Sequence, residues 1–241
     1  MIKEIFYELY NEHLKKWFIK YFKPLLVILM YILYQSNFLI GIINSFGLEL
    51  SNIPRTLRII ILILNDLTYI ISLLLLFKTD IKNGIKDFKE NINKRLTLSI
   101  NCWIIGCLIM TISSIIISAV LNKDVSTNEE IVRQSIKLAP FYMLFTCSVV
   151  APVFEEMVFR KALHSLIKPK WLFIILSGVS FGLLHVLGSY TSILDFLYVI
   201  PYGAMGSALA FLLTKTNNIF LPIAIHMLHN TILVLIQIIG G

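Results

Sequence analysis

Long apolar runs constrain this chain more than any other feature. They cover about 24–46, 57–77, 96–121, 139–166, 171–187, 193–214 and 217–239. A membrane crossing needs about 20 mainly apolar residues, rising 1.5 Å each. In lipid, every backbone N–H and C=O must be bonded internally, which leaves helices or closed barrels. Unbroken runs of this length read as helices. The expected fold is therefore an all-α polytopic transmembrane bundle of about seven spans, with six to eight compatible. The fourth run is the longest, and Pro140 and Pro152 predict that it breaks or tilts. Hydrophobic residues make up 57% of the chain and charged residues 15%. That balance excludes a soluble domain, whose single core could not hide so much apolar surface, and it excludes disorder. Cys102, Cys107 and Cys147 lie in apolar surroundings without a CxxC pair, so neither a disulfide frame nor a thiolate metal site is expected.

The segments between runs differ in kind. Residues 1–23 mix acids and lysines with apolar residues at helical spacing, which predicts an amphipathic segment on the membrane surface rather than a signal peptide. Residues 24–138 hold the first three spans, and their basic linker 78–95 reads as a cytoplasmic surface helix. Residues 122–138 are polar and mixed in charge. With the N-terminus inside, sixteen Lys and Arg fall on the inner side and five on the outer. This is the positive-inside bias of an integral membrane protein with a cytoplasmic N-terminus. It accounts for the net charge of +7, so no nucleic-acid partner is implied.

Ionisable residues inside spans are costly and mark function. Here they are Asp66, Glu155, Glu156, Arg160, His164, His185, Asp195, His226 and His229, with Asn65 and Asn230 as neutral companions. Glu155 and His185 each lie fifteen residues from the turn residue Lys170, roughly 22 Å deep. His226 and Asn230 lie roughly 15 and 21 Å from Thr216, on the same side. The four can therefore share one layer. His226 and Asn230 are i and i+4, as are Phe181 and His185. Glu156 and Arg160 have the same spacing and are expected to pair, leaving Glu155 for chemistry. His229 reads as a packing or network residue, His164 as interfacial, and Asp195 as solvated near the end of its span.

Two chemistries suit this set. Glu155 could act as general base on water, with imidazole and carboxamide N–H groups holding the oxyanion. Alternatively, His185 and His226 with a carboxylate could bind a divalent metal such as zinc. Both end in amide hydrolysis. The bland alternative is a polar helix-packing network without chemistry. A transporter would need a broken-helix repeat, and none is visible.

The same residues carry a resemblance. Phe154-Glu155-Glu156-Met157-Val158-Phe159-Arg160 resembles the EExxxR motif of the CAAX prenyl protease and bacteriocin-processing (Abi) family of intramembrane proteases. Phe181-Gly182-Leu183-Leu184-His185 resembles its FxxxH motif, and His226-Met227-Leu228-His229-Asn230 its HxxxN motif. The resemblance implies that residues 139–241 form a catalytic helical core. It implies that Glu155 is the main catalytic carboxylate, completed by His185, His226 and Asn230, with Glu156, Arg160 and Phe181 supporting. It further implies an endopeptidase in a bacterial plasma membrane, acting on a membrane-associated peptide or lipidated protein. Prenylated tails, bacteriocin or pheromone processing and bacteriocin self-immunity are the family's roles. A metal is left open, and so is a non-catalytic immunity or regulatory scaffold. Lys161 departs from the family, standing where many members have Gly.

Overall fold

Backbone that must bond to itself in lipid becomes helical, and the computed structural model follows this rule. It describes residues 11–14, 16–47 and 49–240, among which there is no strand. Residues 1–10 and 15 of the amphipathic N-terminal segment, including Ile2, Phe6 and Leu9, lie outside the described residues. Six described helices are long and apolar enough to cross a bilayer: α3 (Arg55–Leu76), α5 (Ile92–Leu121), α7 (Pro140–Leu166), α8 (Lys170–Leu187), α9 (Ile193–Thr216, opening with a 3-10 turn) and α10 (Phe220–Gly240). The first apolar run differs from one straight span. It forms α1 (Lys23–Gln35) and α2 (Phe38–Ser45), bent by 52° and counting as a seventh span only if taken together. The break is at Asn37, whose φ of 53° is left-handed, a conformation that Asn tolerates. Two shorter helices, α4 (Lys78–Glu90) and α6 (Thr127–Leu138), carry the polar linkers.

Helix α9 packs along both α8 and α5. Small residues let the α8 and α9 backbones meet. A Cβ on Gly178 would stand 2.0 Å from Ser207 Oγ, and one on Gly182 would stand 2.5 Å from the Val199 carbonyl oxygen. Backbone cannot retreat as a side-chain tip can. Gly182→Ala should therefore cost about 1–3 kcal/mol of stability and lower the unfolding midpoint in detergent. Gly188→Ala, in open space, should leave the midpoint unchanged; equal midpoints for both variants would contradict this packing.

The prolines leave α7 one continuous span. Pro140 starts the helix after Ala139 leaves helical geometry. Pro152 has no N–H to give, and its ring crowds the carbonyl of Ser148, four residues earlier. The chain widens there into a π turn, Thr146–Val150, and again at Glu156–Ala162, across the EExxxR motif. Asp66 of α3, almost fully buried, holds the first π turn by accepting from Thr146 Oγ1 and Tyr142 Oη, both at 3.1 Å. Tyr34 Oη and Asn65 Nδ2 donate to its other oxygen at 3.2 and 3.4 Å.

The turns gather on two sides, as the alternation of spans requires. On one side, α4 docks on the α9–α10 turn: Asn218 Nδ2 donates to the Gly84 carbonyl at 2.9 Å and to Asp87 at 2.8 Å. Lys161 joins this side through an ion pair with Asp80. On the other side, Lys123 pairs with Asp195. The expectation that Asp195 is solvated is corrected: it is 3% exposed. Its carboxylate accepts the backbone N–H of Thr191 and Ser192, capping the 3-10 turn that opens α9. A carboxylate with so many donors no longer needs water.

Candidate functional site

Two adjacent glutamates on α7 face different neighbours. Glu155 ends an α-helical segment and Glu156 begins the second π turn. Glu156 and Arg160 have no side-chain exposure at all, and Glu156 Oε2 meets Arg160 Nε at 3.0 Å. The N–H is not aimed well enough for a hydrogen bond, so this contact is chiefly ionic. Arg160 Nη2 donates to the Gly206 carbonyl at 3.3 Å, and the guanidinium lies 4.5 Å over the Phe181 ring. Arg160 thus ties α7 to both α8 and α9.

The second oxygen of Glu156 does what spacing alone did not reveal. Glu156 Oε1 accepts from His226 Nδ1 at 2.9 Å, linking α7 to α10. The far side of that ring, Nε2, then faces Glu155 Oε2 at 3.7 Å. That is too long for a hydrogen bond, yet one water could touch both atoms at about 2.8 Å. Glu155 is 9% exposed and makes no hydrogen bond among the described residues.

His185 is oriented in the same way. Its Nδ1 donates to the Phe181 carbonyl at 2.9 Å, and its ring stacks on Tyr202 with centroids 4.5 Å apart. Phe181 touches both imidazoles, at 4.6 Å from His185 and 5.6 Å from His226. Asn230 Nδ2 donates to the Cys147 carbonyl at 2.9 Å. That carbonyl lies in the first π turn, so the bulge supplies the acceptor that positions the carboxamide.

These groups border one cavity of about 480 Å³. Glu155, Phe181, His185, His226 and Asn230 all line it, whereas Glu156 and Arg160 sit behind its wall. The structure thus brings together the four residues expected to share a layer. Asn128, Glu129 and Arg133 of α6 contribute a polar side. Tyr202 and His229 also line the cavity. No motif pointed to Tyr202, and His229 was expected only as a packing or network residue. Asp66 is not part of this lining. His164 stands apart, edge-on to Phe173.

A metal was one of two chemistries open to this set, and the donors do not favour it. Among the described residues, no three His, Cys, Asp or Glu side chains converge as a bound metal would require. What remains is a buried carboxylate and two imidazoles, each imidazole anchored through Nδ1, around a space large enough for a peptide segment and a water.

Residues 137–232 match the family described as type II CAAX prenyl endopeptidase Rce1-like. YdiL of Bacillus subtilis, named as a candidate membrane peptidase, is 32% identical over 116 residues, covering 47% of this chain and 44% of that protein. The membrane-embedded CAAX protease MroQ of Staphylococcus aureus is 28% identical over 230 residues, covering 90% of this chain and 89% of that protein. No solved structure gives a significant match. The matched residues include all three motifs. Through residues 137–232, this integral membrane protein is similar to the Rce1-like family of CAAX prenyl endopeptidases.

Proposed function

We propose that this chain is an intramembrane endopeptidase with Glu155 as its general base. The observation that carries the reading is the approach of Glu155 to His226 Nε2 on the cavity wall, while Glu156 is held apart by Arg160. Division of labour between two neighbouring carboxylates is what general-base chemistry needs: one neutralised by a cation, one open to water. A water between Glu155 and the imidazoles gives a proton to Glu155 as its oxygen adds to the scissile carbonyl. The carbonyl π pair becomes the oxyanion, held by N–H donors that include the second amide hydrogen of Asn230. Collapse breaks the C–N bond, and the proton on Glu155 passes to the leaving amine. Glu156 keeps His226 in register throughout, and Phe181 keeps both rings in place. Apolar surroundings strengthen each of these contacts relative to water.

The substrate class is a membrane-associated peptide or lipidated protein, including CAAX-type tails and bacteriocin or pheromone precursors, in a bacterial plasma membrane with the N-terminus cytoplasmic. Residues 139–241 carry the reaction. The test uses purified protein in nanodiscs and two internally quenched peptides, one farnesylated with a CAAX-type tail and one unprenylated and apolar. Cleavage of at least one is expected, and His185→Ala should reduce it by about 10²-fold or more. Undiminished cleavage by His185→Ala would remove the site. A non-catalytic scaffold would bind these peptides and leave them intact.

A further inference from the structure

The two motif imidazoles share a limitation. Each donates through Nδ1, His226 to Glu156 and His185 to the Phe181 carbonyl. In the neutral ring, Nε2 is then a lone pair, able to accept from water but unable to donate to an oxyanion. Asn230 spends one of its two amide hydrogens on Cys147. A third imidazole has the opposite arrangement. Trp103 of α5 approaches His229 with its indole nitrogen 3.3 Å from His229 Nδ1. An indole nitrogen only donates, so Nδ1 must be the acceptor and the proton of neutral His229 must be on Nε2. The Cys107 Sγ lies 3.7 Å from the same Nδ1, reinforcing that edge. Nδ1 faces α5, so Nε2 is directed away from it. Nε2 has no hydrogen-bond partner among the described residues, yet it is not one of the polar atoms sealed away from solvent. His229 itself is 7% exposed and lines the same cavity as Glu155.

We infer that His229 is a substrate-contacting residue, whose Nε2–H, set by Trp103, donates to the carbonyl oxygen of the bond being cleaved. Its position on α10 suits this: it lies three residues, about one helical turn, from His226, and His226, His229 and Asn230 all line the same cavity. Trp103 is then a positioning residue, acting through the tautomer it selects. The inference rests on the hydrolytic reading above and adds to it a second neutral donor beside Asn230.

Two measurements separate this role from packing. With the quenched peptides, His229→Ala should lower kcat by about 10²-fold with KM little changed, the size of effect typical of one lost oxyanion donor. His229→Gln, whose amide nitrogen can reach the place of Nε2, should restore part of that loss. Trp103→Phe should lower kcat about tenfold, since the ring is then free to choose either tautomer. A kcat for His229→Ala within threefold of the parent overturns the inference. The second measurement does not depend on turnover. ¹⁵N-histidine NMR of the protein in nanodiscs should show His229 protonated at Nε2. A peptide carrying a statine hydroxyl in place of the scissile carbonyl should shift that proton. A proton on Nδ1, or no shift with the peptide bound, overturns the inference even if no peptide is cleaved. A parent protein that cleaves neither peptide would instead count against the hydrolytic reading.

Discussion

Glu155→Gln should lower peptide hydrolysis by about 10³-fold or more while leaving the protein folded. The substitution keeps the shape of the side chain and removes its ability to take a proton from water. Glu155 accepts no hydrogen bond among the described residues, so no donor is left stranded by the change. The unfolding midpoint in detergent should therefore stay near that of the parent, and the quenched peptides should still bind. kcat is the quantity to measure, with KM as the check on binding. Turnover within tenfold of the parent would show that Glu155 is not the base.

Arg160→Met should be the most destabilising single change in the site. Arg160 and Glu156 are wholly inaccessible, and removing the guanidinium leaves a buried carboxylate without its cation. Breaking a buried pair from one side costs about 3–5 kcal/mol, whereas replacing both partners with apolar residues is often nearly neutral. The double variant Glu156→Leu/Arg160→Met should accordingly recover much of the lost stability in urea or thermal unfolding. Its kcat should stay low, because His226 Nδ1 would have lost its acceptor and the ring its fixed orientation. Recovery of activity together with stability would mean that Glu156 serves packing alone. This pair of measurements separates what holds the bundle from what orients the imidazole.

The candidate site was legible along each helix and much less so between helices. Fifteen residues on either side of Lys170 place Glu155 and His185 at one depth, because rise per residue is constant. The four-residue spacing of His226 and Asn230 places them on one face for the same kind of reason. The ion pair of Glu156 with Arg160 is local in sequence, and it forms. Contacts that need a partner on another helix were a different matter. The bond from His226 to Glu156 spans seventy residues, and the bond from Trp103 to His229 spans 126. Neither leaves a periodic trace, since spacing says nothing about how a helix is rotated about its axis or which helix lies beside it. The burial of Asp195 belongs here too: its depth near a span end suggested water, but the donors of Thr191, Ser192 and Lys123 enclose it.

By itself, then, the sequence determined the helical class, every span after the first, the alternation of their turns and the spacing of the polar residues along each helix, because in lipid these follow from length, hydropathy and a fixed rise. The tertiary structure alone decided the bend at Asn37, the two π turns of α7, the caging of Asp66 and the tautomers around the cavity. Each of these depends on which neighbour supplies a donor, an acceptor or a steric limit, and that choice is made only when the helices pack.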